Sequence, residues 1–208
     1  MRNILLTLSF LLVFILSNSQ KTEKIIDAFR NSIQAEKDGD LYRSIRILQD
    51  TGIYDEESYE INFRMGWLSY ALGLNIQSSA YYHKAITINP NSIEVKLALI
   101  KPVSAIGKYD EIKKICNDII VLDNNNYTAN YQLGVIIYNE GNYKDAVVFF
   151  EKNYTLYPFD FENLIYYAWS KLKIGAFDEA ENLFYKCLLF YPDSNSAREG
   201  LKDIQFKN

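Results

Sequence analysis

The sequence predicts an all-α protein made of repeated pairs of helices. Its 208 residues are 49% hydrophobic and 23% charged, with only 4 Pro, which is the composition of a folded chain. Five of the nine glycines recur at a spacing of 34 residues: Gly39, Gly73, Gly107, Gly141 and Gly175. A glycine can take the positive φ that ends a helix at little cost, so each of these glycines is expected to separate two helices.

The glycine spacing divides the chain into five repeats without insertion or deletion. With the glycine at position 15, the repeats are 25–58, 59–92, 93–126, 127–160 and 161–194. Positions 8 and 20 are mostly small, as in Gly134 and Ala146, and positions 17 and 24 are mostly large, as in Tyr143 and Phe150. Small residues let the two helices approach closely, and the large residues fill the space beside them. Proline at position 32 ends the second helix of a repeat.

This pattern resembles the tetratricopeptide repeat, whose period is 34 residues and whose preferred residues fall at these positions. The resemblance covers residues 25–194 and is strongest in the fourth and fifth repeats. It implies a right-handed α-solenoid of helix-turn-helix repeats. The third repeat departs from the pattern, with Ile100 at a small position and Pro102 inside its first helix, which predicts a local bend or a shortened helix.

The segment after the last repeat, 195–208, is expected to form a capping helix and a tail. Ala197, Leu201 and Ile204 share one face at i, i+4, i+7 spacing, and the residues between them are polar. A solenoid needs such a terminal helix with a polar outer side.

The first nineteen residues have the pattern of a secretory signal peptide. Arg2 precedes an apolar run from Ile4 to Leu16, and small polar residues follow up to Ser19. A run of this length is too short to cross a bilayer core of about 30 Å as a helix. We expect cleavage after Ser19 and an exported chain, soluble in a bacterial periplasm or outside the cell, with no transmembrane segment. The alternative is an uncleaved membrane anchor.

The sequence offers little catalytic chemistry. Its one histidine, His83, has no second His or Cys placed to share a metal with it, and no serine-nucleophile or phosphate-loop motif is present. We therefore expect no enzyme activity, no cofactor and no metal. A formal net charge of −4 disfavours nucleic acid as a partner. Cys116 and Cys187 lie two repeats apart and are expected to be buried free thiols.

The resemblance also implies a place for ligands. In the tetratricopeptide family the first helix of each repeat lines the concave side, and contacts commonly come from positions 2, 5, 9 and 12. Here those positions predict an aromatic groove with an acidic edge, formed by Glu60, Phe63, Trp67, Tyr70, Glu94, Lys101, Tyr131, Tyr138, Glu162, Ile165 and Trp169. The basic clamp that some members use for a C-terminal carboxylate is not present, since only Lys101 remains at positions 5 and 9.

Several functions fit this predicted groove. The first is a protein-interaction scaffold that binds an extended or helical segment of a partner. The second is a glycan-binding module that uses aromatic platforms and hydrogen-bonding side chains. The platforms would be Trp67, Tyr70, Tyr138 and Trp169, and the hydrogen-bonding groups Glu60, Arg64, Gln132 and Asn139. The third is self-association through an end or the groove. The alternative to all three functions is that the same aromatic residues serve only to pack neighbouring helices together.

Overall fold

The protein folds as a series of helical hairpins. The computed structural model describes residues 22–50 and 58–206 and shows eleven α-helices and no β-strand within them. The helices are α1 (22–37), α2 (Leu41–Asp50), α3 (Tyr59–Ala71), α4 (Asn75–Ile88), α5 (Ile93–Ala105), α6 (Tyr109–Leu122), α7 (Tyr127–Asn139), α8 (Tyr143–Leu156), α9 (Phe161–Lys173), α10 (Phe177–Phe190) and α11 (Asn195–Gln205). The predicted signal peptide, residues 1–19, lies outside the described residues.

The helix boundaries follow the 34-residue period. From the second repeat onward, every first helix begins at position 1 and has 13 residues, and every second helix begins at position 17 and has 14 residues. The five glycines at position 15 have φ between 73° and 84°. The predicted all-α fold, with turns at the glycines, is therefore confirmed.

A second repeated feature starts the helices. Position 34 holds a short polar residue whose side-chain oxygen accepts a hydrogen bond from the backbone N–H three residues later. These N-caps are Ser58, Ser92, Asn126, Asp160 and Ser194. Position 34 was not predicted as an N-cap, although Ser, Asn and Asp before a helix are the usual sequence signal of one.

The helices group into two compact halves, which are described separately: the N-terminal half with α1–α5 and the C-terminal half with α6–α11. In the N-terminal half the Tyr82 ring covers Gly66, where an added Cβ would lie 2.6 Å from it. In the C-terminal half Phe150 covers Gly134 at the same distance. The small residue at position 8 thus leaves room for the large residue at position 24, as the pattern predicts.

Pro102 does not shorten its helix. α5 has 13 residues, like α3, α7 and α9, so the expectation of a shortened helix was wrong. Pro102 lies in the last turn, where only one interior hydrogen bond is lost, and its own carbonyl still accepts one from the Ile106 N–H at 3.3 Å. Burial of Pro102 and Val103 offsets part of that loss.

The last helix, α11, caps the C-terminal half. It packs on α9 and α10 and buries Ala197, Gly200 and Ile204, while its other face is exposed. The predicted capping helix is confirmed. Among the described residues, no helix is both long enough and apolar enough to cross a membrane.

Candidate binding groove

The residues of the predicted groove lie in both halves of the molecule. Six of them are on α3 and α5 of the N-terminal half, and five are on α7 and α9 of the C-terminal half. The two sets have different surroundings, so they differ in the side-chain surface that they offer to a ligand.

In the N-terminal half, α1 and α3 enclose an apolar furrow. A cavity of about 450 Å³ opens between them, with Phe29 and Ile33 on one side and Phe63 and Trp67 on the other. A second cavity of about 490 Å³ continues along α1 and shares Phe29, Ile33 and Glu60 with the first. These two connected cavities are called the α1–α3 furrow below. Their combined size suits several side chains of a bound segment.

Packing fixes one wall of the furrow and leaves another open. The Phe63 ring stacks on Tyr59 with centroids 6.5 Å apart and is tilted against Tyr82 at 5.9 Å. Trp67, one helical turn further along, is 39% exposed, and Tyr70 is 36% exposed. A rigid Phe63 beside an open indole is a surface on which another apolar side chain can rest.

An ion pair crosses the furrow from α3 to α1. The Arg64 side chain is only 14% exposed, and its Nη2 lies 2.9 Å from Glu36 Oε2. Arg64 Nε also donates to Ser32 Oγ at 3.0 Å. The guanidinium therefore joins the first and second repeats, and is not an open donor for sugar hydroxyls as the glycan hypothesis requires.

The exposed charges at the furrow have both signs. Glu60 is exposed and lines both cavities, and Lys37 lines the cavity along α1. Arg30 lines the same cavity and forms an ion pair with Asp27. Of the remaining predicted residues in this half, Glu94 and Lys101 are exposed on α5 and line neither cavity.

In the C-terminal half, the predicted groove tyrosines pack against one another. Tyr131 stacks on Tyr127 at 6.0 Å and meets Tyr166 edge-on at 6.1 Å, and Tyr138 meets Tyr166 edge-on at 5.4 Å. Burial, and to a lesser extent the nearby Glu162 carboxylate, raise the pKa of Tyr131 to about 12. Burial also raises the pKa of Tyr138. These rings are partly desolvated already, so they offer less surface to a ligand than Trp67 does.

The other predicted residues of this half differ in how exposed they are. Ile165 is 8% exposed and belongs to the core, so its placement on the groove surface is corrected: the neighbouring helices cover it. Trp169 is half-buried, and its ring meets Phe184 edge-on at 5.3 Å. Glu162 is exposed.

Phe29 and Ile33 of α1 were missed as site residues. They occupy positions 5 and 9 of the first repeat, the same positions as Phe63 and Trp67 in the second. The signal was therefore available in the sequence. Among the described residues, no group of three or more His, Cys, Asp or Glu side chains is placed to hold a metal ion.

Comparison with known proteins supports the repeat. Residues 59–92 match the model of the tetratricopeptide repeat, which is the second repeat with the boundaries predicted above. No curated protein matches the sequence of this chain.

Solved structures share the fold. A MamA protein aligns with a TM-score of 0.72 and 20% identity over 81% of this chain and 92% of its own. A tetratricopeptide repeat protein from Parabacteroides merdae aligns with a TM-score of 0.74 and 17% identity over 88% of this chain and 73% of its own. MamA from Desulfovibrio magneticus aligns with a TM-score of 0.70 and 14% identity over 83% and 97% of the two chains. The resemblance to the tetratricopeptide repeat family is thus confirmed, for one repeat by its sequence and for the described chain by its fold.

Proposed function

We propose that this tetratricopeptide-repeat chain is an exported, non-catalytic scaffold that binds a protein or peptide partner in the α1–α3 furrow. The observation that carries the proposal is the open face of Trp67 beside the apolar furrow walls Phe29, Ile33 and Phe63. An exposed tryptophan next to a concave apolar surface is typical of a binding site, because interface energy concentrates in a few aromatic anchors.

The furrow suits a short segment with apolar side chains. Its axis follows two packed helices, so a helical or extended peptide can lie along it with every third or fourth side chain inserted. Glu60 stands at the junction of both cavities and can meet a Lys or Arg of the partner. Such an exposed charge contributes more to the rate of association than to affinity.

The glycan alternative has less support. A sugar site needs several hydrogen-bonding groups that converge on hydroxyls. Arg64 is held by Glu36 and Ser32, and two of the four proposed platforms, Tyr138 and Trp169, are packed in the C-terminal half. Glycan binding would therefore depend on Trp67 and Tyr70 alone.

Peptide selection on immobilised protein tests the furrow. A random peptide library displayed on phage is selected against the wild-type chain, and the selected peptides are measured against Trp67→Ala. We expect peptides with apolar anchors, and an affinity loss of about 2 kcal/mol or more in the variant. Tyr42→Ala is the matched control, since Tyr42 is a 63% exposed aromatic of the same half outside the furrow.

Peptides that bind Trp67→Ala as tightly as wild-type would contradict the furrow proposal. A glycan array that returns binders lost in Trp67→Ala, with no peptide selected, would favour the glycan alternative.

Glu60→Gln is expected to slow association of a basic peptide and to reduce its salt dependence, with little change in dissociation.

Export is tested on protein from the producing cell. Amino-terminal sequencing is expected to begin at Gln20, because the charged, apolar and small-residue order of the first nineteen residues directs cleavage after Ser19. Recovery of a chain beginning at Met1, only in the membrane pellet, would favour the uncleaved anchor instead.

A further inference from the structure

Two turns of the C-terminal half carry aromatic residues where other turns of the chain are polar. After the second helices of the second and third repeats, the chain reads Asn-Pro-Asn at 89–91 and Asp-Asn-Asn at 123–125. These are common turn formers. At the same positions the fourth repeat reads Tyr-Pro-Phe at 157–159, and the fifth begins with Tyr191.

These aromatics form one exposed surface with the helix ends beside them. The turn patch is defined as five side chains that are each between 47% and 60% exposed: Leu156, Tyr157, Phe159, Phe190 and Tyr191. Phe159 and Phe190 join the two turns, with ring centroids 4.8 Å apart. Leu156, Tyr157 and Phe159 line a shallow cavity of about 620 Å³. The patch is therefore continuous across the ends of α8 and α10.

The turns do not need these aromatics in order to fold. The residue after the second helix has φ/ψ of −127°/85° at Asn89 and −145°/93° at Asp123. It has −131°/66° at Tyr157 and −131°/73° at Tyr191. Asn or Asp thus forms the same backbone conformation.

The part of an aromatic side chain that is exposed to water does not stabilise the fold. Tyr157 meets Tyr127 edge-on with centroids 5.3 Å apart, and Tyr191 packs on Phe161 at 4.3 Å, so part of each ring is used within the fold. The exposed half of these side chains is the surface left for a partner.

The area of the patch matches one side of a protein interface. An aromatic side chain buries about 150–250 Å², so five large side chains at about half exposure present about 500 Å² of apolar surface. Apolar atoms form about 60% of an interface, and this patch therefore corresponds to about 800 Å² on one partner. That is the share of one partner in an interface of standard size.

The charges at the patch suit a second copy of the same surface. Lys186 Nζ lies 5.2 Å from the centre of the Phe159 ring. Asp193, two residues after the end of the patch, is fully exposed and lies 3.7 Å from Arg198 in an ion pair. A two-fold contact brings the same patch of both copies together, so a patch with both signs can pair with itself. An anionic lipid surface would need an excess of basic residues, whereas Asp160 and Asp193 balance Lys186 and Arg198 here.

We propose that the turn patch is a self-association surface, through which two copies of this chain meet about a two-fold axis. Aromatic rings of the fourth and fifth repeats form the centre, and Lys186 and Asp193 lie at the rim. The turn patch shares no residue with the α1–α3 furrow, so variants of one site leave the other unchanged and the two tests are independent.

Sedimentation of purified protein over a range of micromolar concentrations tests the proposal. The double variant Tyr157→Asn/Phe159→Asn installs the residues that the second repeat carries at the same positions, so the turn is expected to keep its fold. We expect the wild-type chain to dimerise and the double variant to dimerise at least about tenfold more weakly. Ile76→Asn is the matched control, because Ile76 is 75% exposed in the N-terminal half, and it should dimerise like the wild type.

Three results would overturn the proposal. The first is a wild-type chain that stays monomeric at the highest concentration. The second is a double variant with wild-type dimerisation and wild-type helix content by circular dichroism. The third is a monomeric wild type that sediments with phosphatidylcholine–phosphatidylglycerol vesicles while the double variant does not, which would assign the patch to lipid.

Discussion

The indole Nε1 of Trp169 donates a hydrogen bond to Ser196 Oγ at 2.8 Å and so ties the fifth repeat to the capping helix α11. Trp67 occupies the same repeat position, yet it is exposed at the edge of the α1–α3 furrow. One position of the repeat thus serves packing at the end of the array and an open surface near its start. Since α5 packs on the second repeat as α11 packs on the fifth, the difference lies in the side chains: Ser196 of α11 accepts the hydrogen bond from Trp169, and the corresponding residue of α5 is Glu94.

Replacement of the two tryptophans should separate these roles. Trp169→Ala is expected to lower the free energy of unfolding by about 2–4 kcal/mol, because it loses aromatic packing on Phe184 and leaves Ser196 without its donor. Trp67→Ala is expected to lower it by less than about 1 kcal/mol. Guanidinium unfolding followed by circular dichroism measures both. An equal loss in the two variants would contradict the assignment of Trp67 to binding.

The helix boundaries could be predicted because their causes are local. A glycine such as Gly141, with φ of 82°, ends a helix whatever surrounds it, and the requirement recurs at every repeat. The N-cap residues, such as Asn126 and Asp160, are equally local and could have been predicted from their residue types.

The exposure of the groove residues could not be predicted from repeat positions. Tyr131 and Tyr138 are covered by Tyr166, which stands at position 6 of the fifth repeat. Position 6 of the second repeat is Arg64, which instead turns to Glu36. Whether a groove aromatic is open therefore depends on a side chain of the next repeat, and its position within its own repeat does not reveal it.

The close contact between Gly134 and Phe150 predicts a coupled pair. In Gly134→Ala the new Cβ would lie 2.6 Å from the Phe150 ring, so the ring or the helices must shift. We expect a loss of about 1–3 kcal/mol in the free energy of unfolding, although alanine favours the helix. In a Phe150→Leu background the same change should cost less, since the smaller side chain leaves room for the methyl group. Additive losses in a double-mutant cycle by urea unfolding would contradict this contact.

Alkaline pH should destabilise the protein through its buried tyrosines. Burial, with a smaller contribution from the neighbouring Tyr70, raises the pKa of Tyr82 to about 12. An unfolded tyrosine titrates near 10, so the folded state favours the neutral form. The stabilisation is complete below about pH 10 and is lost as the pH rises toward 12.

Tyr82→Phe removes this group while it keeps the ring that covers Gly66. Urea unfolding at several pH values should show a shallower loss of stability above pH 10 than in wild-type protein. Tyr42→Phe, at an exposed position of the same half, is the control and should follow the wild type. A Tyr82→Phe curve that coincides with the wild-type curve would assign the alkaline loss to other residues.

The two cysteines should be unreactive in the folded protein. Cys116 and Cys187 are fully buried free thiols, and burial raises the pKa of each to about 12. Because the thiolate is the reactive form, iodoacetamide at pH 8 is expected to label neither residue until guanidinium unfolds the chain, and then to label both. Val148→Cys, at a 52% exposed position, provides a thiol that should react at once in the folded state. Intact-mass measurement counts the labels. An intramolecular disulfide in the purified protein would contradict the assignment of both cysteines as free thiols and the distance at which the repeats hold them apart.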